Sequence, residues 1–238
     1  MTTAPSLPVR LYLMQVATVP GRNIPIVCYL VQTGDGTNIL IDSGLAPTFQ
    51  LPPGMPAPIM YKNVIEQLAE IGLTPDDIHL FICTHFDGDH AGNNDLFQKS
   101  EFIVQRAHYD NALINPRFAV SRLHWDQPSL NYRFIDGDMT LLPGLDLIET
   151  SGHTTGHQSV LVRLPETGTV LLAIDAVTVQ SAFTQDRQAG PMDENEEALR
   201  TSTRKLLDLA QRENAALVVF GHDGEQWETL RKLPDCYS

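Results

Sequence analysis

Four apolar segments of this chain each end in a histidine or an aspartate, and this pattern constrains the fold more than any other feature. In chain order they read IHLFICTHFDGDH, LDLIETSGH, VLLAIDA and ALVVFGHD. Short apolar runs followed by polar turns are typical of buried β-strands that end in loops. One polar residue at a strand end is usually structural, whereas four at the same relative place predict a shared site at one edge of a sheet.

The first strand end, THFDGDH, carries two imidazoles and two carboxylates within six residues. Because His85, Asp87 and Asp89 alternate, their side chains can converge on one point, and the following His90 can reach a second point close by. Imidazole and carboxylate suit zinc, iron, manganese and cobalt. A solvated acidic turn is the alternative interpretation, but the other three strand ends favour one or two metal ions.

The later strand ends supply further candidate ligands. The segment TSGHTTGH places His153 and His157 in a glycine-rich turn, where Gly152 and Gly156 let the backbone approach an ion closely. The last two segments add carboxylates and another imidazole: Asp175, His222 and Asp223.

The order THFDGDHAG, GHTTGH, AIDA and FGHD resembles that of the metallo-β-lactamase-fold hydrolases. Within that superfamily the chain is most similar to the N-acyl-homoserine lactonases and their γ-butyrolactonase relatives, above all in LPGLDLIETSGHTTGHQSVLVRLP and FGHDGEQWETLRKLPDCY. The early IDSG matches the Asp-x-Gly turn of that family. The resemblance implies an α/β fold, an αββα sandwich of two mixed sheets with outer helices, as a single hydrolase domain over residues 1–238.

The resemblance also implies a ligand set for two divalent transition-metal ions. The first ion takes a motif histidine, the aspartate two residues on and the turn histidine: His85, Asp87 and His153. The second takes the Asp-His pair and the late histidine: Asp89, His90 and His222. Asp175 bridges the ions and is, with Asp89, the implied catalytic pair. The resemblance implies that His157 and Asp42 lie behind the ligands. Asp42 is expected to accept a hydrogen bond from a ligand imidazole.

Two positions depart from the family pattern. Asp87 stands where the family has a second histidine, and a carboxylate is smaller, harder and negative. Zinc is the ion expected overall, but the carboxylate at Asp87 shifts the preference toward iron, manganese or cobalt, or weakens the first site. Thr178 stands where relatives carry a tyrosine whose hydroxyl polarises the substrate carbonyl, and threonine is too short to replace it simply.

These residues predict an enzyme in which a metal-bound hydroxide opens the ring of an N-acyl-homoserine lactone or a related small lactone. The sequence has no GxSxG motif, which argues against a serine hydrolase. Three alternatives remain. They are a same-fold hydrolase of another ester or a thioester, a redox or dioxygenase member, and a non-catalytic descendant that senses a metabolite.

The amino-acid composition limits which partners and which cellular compartment can be expected for this protein. At 42% hydrophobic and 19% charged, the 238 residues can bury a full core. The net charge of −13 argues against nucleic acid. The chain shows no apolar leader and no run of about 20 apolar residues, so we expect no membrane partner. Three cysteines without framework spacing, two of them (Cys28 and Cys83) in apolar strands, suit the cytoplasm. The sequence does not decide between a monomer and a homodimer.

Periodicity predicts the regular elements near the start and end of the chain. Strands are expected over residues 10–17, 26–32 and 37–42, and amphipathic helices over residues 61–71 and 194–213.

Two segments are predicted to be irregular. The first is the proline-rich stretch 45–60, whose apolar side chains, including Phe49 and Met55, form either a packed surface loop or a wall that grips the apolar part of the substrate. The second is the insert 110–135. His108, just before it, is predicted to be helical and exposed.

Overall fold

Two β-sheets carry the fold, and the computed structural model describes them over residues 6–21, 23–47, 49 and 56–238. Within these residues the first sheet has seven strands in the order β4-β1-β2-β3-β5-β6-β7. Its strands are β1 (Pro8–Val19), β2 (Ile24–Thr33), β3 (Asn38–Ile41), β4 (Ile59–Met60), β5 (Leu80–Ile82), β6 (Glu101–Gln105) and β7 (Asn131–Ile135).

The second sheet has five strands in the order β12-β11-β10-β9-β8 along the same described ranges. Its strands are β8 (Met139–Leu142), β9 (Leu145–Glu149), β10 (Gln158–Leu164), β11 (Gly168–Ile174) and β12 (Leu217–Phe220). Both sheets are mixed, since β1 and β2 pair antiparallel while β5 and β6 pair parallel, and β10 and β11 pair antiparallel while β11 and β12 pair parallel.

The α-helices are α1 (Val64–Glu70), α2 (Arg106–Ile114), α3 (Arg122–Trp125), α4 (Glu196–Arg212) and α5 (Gly224–Thr229). Short 3-10 helices span Pro75–Asp77, Asn94–Leu96, Pro116–Val120 and Gln180–Ala182. Local sequence explains two helix starts: the Asn63 side chain accepts a hydrogen bond from the Glu66 amide before α1, and the Asn195 side chain accepts one from the Ala198 amide before α4.

Three apolar layers hold the elements together. One lies between the sheets and joins side chains such as Leu13 and Ile41 of the first sheet to Leu147 of the second. A second layer covers the outer face of the first sheet beneath α1 and α2, and a third packs α4 on the outer face of the second sheet. Each fully buried aliphatic side chain contributes roughly 1.5–3 kcal/mol. The arrangement is the αββα sandwich that the resemblance implied.

The sheet topology gathers several strand ends at one edge. Because β10 runs antiparallel to both β9 and β11, and β11 runs parallel to β12, three strands of the second sheet end at the same edge. The Gln158 amide, at the start of β10, donates to the Thr84 carbonyl at 3.2 Å, just beyond the end of β5. The end of β5 in the first sheet therefore meets that same edge.

The strands and helices predicted near both chain ends are confirmed within a few residues, and the predicted irregular segments need correction. Residues 131–135 form β7, and two short helices precede it, so the insert 110–135 is largely regular. The two short helices are too short to show a helical period in the sequence, and buried aromatic rings hold them in place. Trp125, for example, stacks on Phe86 at 4.5 Å between ring centroids.

The proline-rich stretch also contains a strand, since Ile59 and Met60 pair with β1. Residue 48 and residues 50–55, with Met55, lie outside the described residues. Phe49 packs against the first sheet's outer core, and its ring fills the space where a Cβ on Gly88 would stand, 2.2 Å away. Gly88 of THFDGDH therefore makes room for Phe49.

Candidate metal centre

The site residues expected from the sequence meet at the shared sheet edge in two groups. We call His85, Asp87 and His153 the first cluster, and Asp89, His90 and His222 the second cluster. In each cluster the potential ligand atoms lie within 4.8 Å of one another. A third such group, His85, His90 and Asp175, links the two clusters.

Asp175 lies between the clusters and contacts both. Its Oδ2 is 3.1 Å from Nε2 of His222 and 3.3 Å from Nε2 of His153, and its Oδ1 is 3.5 Å from Nε2 of His90. Burial opposes ionisation, but the imidazoles of His222 and His90 outweigh it and hold the pKa of Asp175 well below its usual range. This geometry fits the bridging position that the resemblance assigned.

The backbone around Asp175 is shaped to place its carboxylate. Ile174, directly before it, has a φ of 51°, which is rare for a β-branched residue and costs on the order of 1–3 kcal/mol. On the neighbouring strand end, a Cβ on Gly221 would stand 2.6 Å from Asp175 Oδ1. The glycine of FGHD therefore leaves the space that the carboxylate occupies.

The four cluster histidines share one orientation. In each, Nδ1 is engaged by a neighbouring oxygen, so that Nε2 faces the centre of the site. The Nδ1 partners are Thr84 Oγ1 for His85 at 3.0 Å, Asp42 Oδ2 for His90 at 2.9 Å, Asp193 Oδ1 for His153 at 2.8 Å and the Pro25 carbonyl for His222 at 2.8 Å. Asp42 thus makes the hydrogen bond to an imidazole that was expected of it, and its carboxylate also accepts from the Thr84 amide and hydroxyl at 2.8 and 2.6 Å.

Three buried atoms at the centre of this site have no hydrogen-bond partner among the described residues: Nε2 of His85, Nε2 of His90 and Oδ1 of Asp175. An unsatisfied buried polar group costs about 1–3 kcal/mol, so three together need an explanation. Imidazole nitrogens and carboxylate oxygens aimed at common points would be satisfied by cations. The donor set therefore fits two divalent ions.

The first cluster contains a cation of its own, which the sequence did not reveal. Arg117, in the 3-10 helix Pro116–Val120, donates from Nε to Asp87 Oδ1 at 2.7 Å and from Nη2 to Asp87 Oδ2. Its Nη2 also lies 2.9 Å from His153 Nε2. Burial raises the pKa of Asp87, but the Arg117, His153 and His85 hydrogen bonds prevail and hold it well below its usual range.

Asp193 is the second functional residue that the sequence did not indicate. It lies in the acidic stretch PMDENEE, where nothing distinguishes it from solvated neighbours. The sequence could have indicated Asp193 only through the general expectation that Nδ1 of His153 needs a hydrogen-bond acceptor. It could have indicated Arg117 only through the expectation that the buried negative charge of Asp87 needs a positive partner.

Two further histidines lie behind the clusters. The His157 Nε2 accepts from the Asp175 amide at 3.3 Å, and its Nδ1 is 2.8 Å from Thr150 Oγ1, so both nitrogens are engaged and it stands behind the ligands as implied. His108 is helical, but its predicted exposure is wrong: it is fully buried. The short polar face of α2 packs inward there, and burial lowers the pKa of His108 to about 4.

A cavity of about 1760 Å³ opens beside the centre. His153 and His222 line it, together with Thr178 and apolar side chains from several elements, which include Ile24, Ile59, Tyr61 and Met192. The carbonyl of Thr178 accepts from the His222 amide at 2.8 Å. Thr178 therefore supports a second-cluster histidine through its backbone, at the position where relatives carry a tyrosine. No helix among the described residues is long and apolar enough to cross a membrane.

Comparison with known proteins agrees with this geometry. Residues 21–222 match the metallo-beta-lactamase superfamily. N-acyl homoserine lactonase AiiA from Bacillus thuringiensis subsp. kurstaki is 32% identical over 92% of this chain and 90% of its own length. N-acyl homoserine lactonase AttM from Rhizobium johnstonii is 31% identical, covering 97% of this chain and 99% of its own.

Solved structures show the same similarity. An N-acyl homoserine lactone hydrolase with the product N-hexanoyl-L-homoserine bound at its catalytic metal center superposes with a TM-score of 0.85 at 28% identity, covering 97% of this chain and 100% of that chain. With matching motifs, fold and full-length similarity, this chain belongs to the metallo-beta-lactamase superfamily, in the group that contains the N-acyl homoserine lactonases.

Proposed function

We propose that this protein is a metal-dependent hydrolase that opens the ring of a lactone, with N-acyl-homoserine lactones as the substrate class. The observation that carries the proposal is the set of three buried, unpartnered donor atoms beside a large cavity. The similarity to lactonases over nearly the whole chain supports the substrate class.

The proposed ligands are the seven residues of the two clusters and the residue between them: His85, Asp87, Asp89, His90, His153, Asp175 and His222. Two divalent ions held there would lower the pKa of a water molecule and polarise the lactone carbonyl. Zinc suits the histidine-rich second cluster, whereas the carboxylate at Asp87 makes iron, manganese or cobalt suitable for the first.

The protein's own residues would divide the remaining work. Asp175 fixes the spacing of the two clusters through its contacts to His153, His222 and His90. Asp89 has the most exposed carboxylate of the set, with 31% of its side chain accessible against 5% for Asp175. It is placed to accept the proton of the attacking water and to return it to the leaving alkoxide.

The cavity supports a substrate with an apolar tail. Ile24, Ile59 and Met192 line it on different elements, and apolar walls with few polar anchors are usual in small-molecule sites. Among the described residues of the stretch 45–60, Ile59 lines the cavity and is placed to contact an acyl chain. Phe49 instead packs against Gly88, and the proposed role of Met55 concerns a residue outside the described part of the chain.

The same proposal extends to the compartment and the assembly of the protein. Cys28, Cys83 and Cys236 are free thiols, which suits the reducing cytoplasm. The net charge of −13 disfavours nucleic acid, and a homodimer remains a proposal that sedimentation would test.

The function is tested by incubating the metal-loaded protein with N-hexanoyl- and N-decanoyl-homoserine lactone in ¹⁸O-labelled water. Ring opening with the label in the product carboxylate is expected, because attack occurs at the carbonyl carbon. Label in the alcohol would contradict the mechanism. No turnover of any lactone, with turnover of a thioester or aryl ester, would favour the alternative of a same-fold hydrolase acting on another ester. Thr178 in place of the tyrosine is the residue that keeps this alternative open.

A further inference from the structure

We propose that Arg117 is an internal competitor for the first metal site, so that the two sites take their ions with unequal affinity and in a fixed order, the second cluster first. The inference rests on the proposed ligand set. It goes further because it assigns a role to a residue outside that set and a loading order to the sites.

The guanidinium of Arg117 is held by acceptors on three residues, Asp87, His153 and Met192. Its Nε and Nη2 bind the two oxygens of Asp87, and Nη2 also lies against His153 Nε2. Its Nη1 donates to the carbonyls of His153 at 3.3 Å and Met192 at 2.5 Å. Four of its five N–H groups thus donate to oxygen atoms, which makes Arg117 unsuited to bind substrate and well suited to hold this arrangement.

The atoms that Arg117 engages are those that an ion in the first cluster needs. Asp87 Oδ2 lies 3.3 Å from Nε2 of His85 and 3.2 Å from Nε2 of His153, at the centre of the first cluster. A cation that binds Asp87 and His153 there must displace Nη2 of Arg117. It must also approach a guanidinium that stays charged at any physiological pH.

The second cluster has no such competitor. Among the described residues, no lysine or arginine forms an ion pair with Asp89, and Nε2 of His90 is unpartnered. The other buried arginine near the site, Arg187, faces Asp193 at 3.7 Å, not a ligand. An ion can therefore enter the second cluster without displacing a guanidinium or ammonium group.

Arg117 also explains how Asp87 is tolerated. A bidentate guanidinium neutralises the Asp87 carboxylate, of which only 12% of the side chain is accessible, and burying that charge without a partner would be costly. The pair thus keeps the first cluster folded while it is empty, and the same contacts weaken its hold on an ion.

The test is a calorimetric titration of the metal-free, full-length protein with Co²⁺, with the visible absorption of cobalt as a second signal. We expect two binding steps whose Kd values differ by at least about tenfold. Arg117→Met should tighten the weaker step by about ten- to hundredfold, the range for residues that contact metal ligands, and leave the tighter step unchanged. Arg122→Met is the matched control, since Arg122 pairs with Asp126 on the surface, and it should change neither step.

A second readout does not depend on the folding of a variant. In the wild-type protein, the ¹⁵N resonance of Arg117 Nε–H should be unchanged by the first equivalent of Zn²⁺, which is diamagnetic, and should shift with the second. A shift at the first equivalent, two equal Kd values, or no effect of Arg117→Met on the weaker step would overturn the proposal. Failure of the proposed function would instead show as absent lactone turnover by protein carrying two ions.

Discussion

The two clusters use similar ligands but differ in what surrounds them. In the second cluster, Nε2 of His90 has no hydrogen-bond partner among the described residues, and 31% of the Asp89 side chain is accessible to solvent. The first cluster already contains one, because Arg117 binds Asp87 and touches His153. Asp87, which stands where the resemblance led us to expect a histidine, is thus paired with an arginine from a distant segment. The comparison teaches that ligand identity alone does not define a metal site.

The largest effect is expected at the residue shared by both clusters. Asp175→Asn removes the negative charge that links the two clusters and should lower the rate of lactone hydrolysis by more than about a hundredfold. Changing a residue that only contacts a metal ligand usually costs about ten- to a hundredfold, and Asp175 is proposed to be a ligand itself. It should also reduce the content of both ions. Mass spectrometry of metal content beside turnover measures this. Two retained ions with near-normal turnover would show that Asp175 does not bridge.

The next effect concerns the choice of metal in the first cluster. Asp87→His supplies the softer ligand of the family pattern and should shift preference toward zinc over manganese. The shift should be larger in Asp87→His combined with Arg117→Met, because Arg117 otherwise remains as an unpaired cation. The two substitutions should therefore be non-additive. Competition between zinc and manganese measures it. Unchanged selectivity in both variants would mean that residue 87 does not touch an ion.

A smaller effect is expected from the carboxylates that orient the histidines. Asp42→Asn releases His90 and should weaken the tighter binding step by about tenfold or more, whereas Asp193→Asn releases His153 and should weaken the other step by a similar factor. The titration described above separates the two steps. If both variants altered the same step, the assignment of the clusters to separate ions would be wrong.

The smallest effect is on stability alone, at His108. Its Nε2 accepts from the Phe86 amide at 2.8 Å and its Nδ1 donates to the Thr155 carbonyl at 2.8 Å, so it joins the two turns that carry the first cluster. The neutral form is required for both bonds. Because the folded pKa of about 4 lies below the unfolded value, this stability is present above about pH 6.5 and is lost as the pH falls toward 4.

Urea unfolding of the metal-free protein measures this contribution. His108 should account for about 1 kcal/mol of the free energy lost between pH 7.5 and pH 6. His108→Gln should therefore show a shallower loss of stability over that range than the wild type. An identical slope in both proteins would show that the burial of His108 does not govern its protonation.

The sequence predicted the parts of this molecule that repeat a simple signal. Apolar runs located the strands, and the polar residues after them, from His85 to His222, located one site at one sheet edge. What it could not predict depends on packing between distant segments. Arg117 approaches the site from a short 3-10 helix and Asp193 from a loop, and neither segment shows a period in the sequence. Strand β7 is held by aromatic contacts such as Tyr132 on Phe102.

Anomalous X-ray scattering tests most directly whether the two clusters bind metal ions unequally. Crystals of the metal-free protein would be soaked with one equivalent of Co²⁺ and measured at the cobalt edge. The predicted result is one peak among Asp89, His90 and His222, with Arg117 still bound to Asp87. A peak among His85, Asp87 and His153, or equal peaks in both clusters, would contradict it.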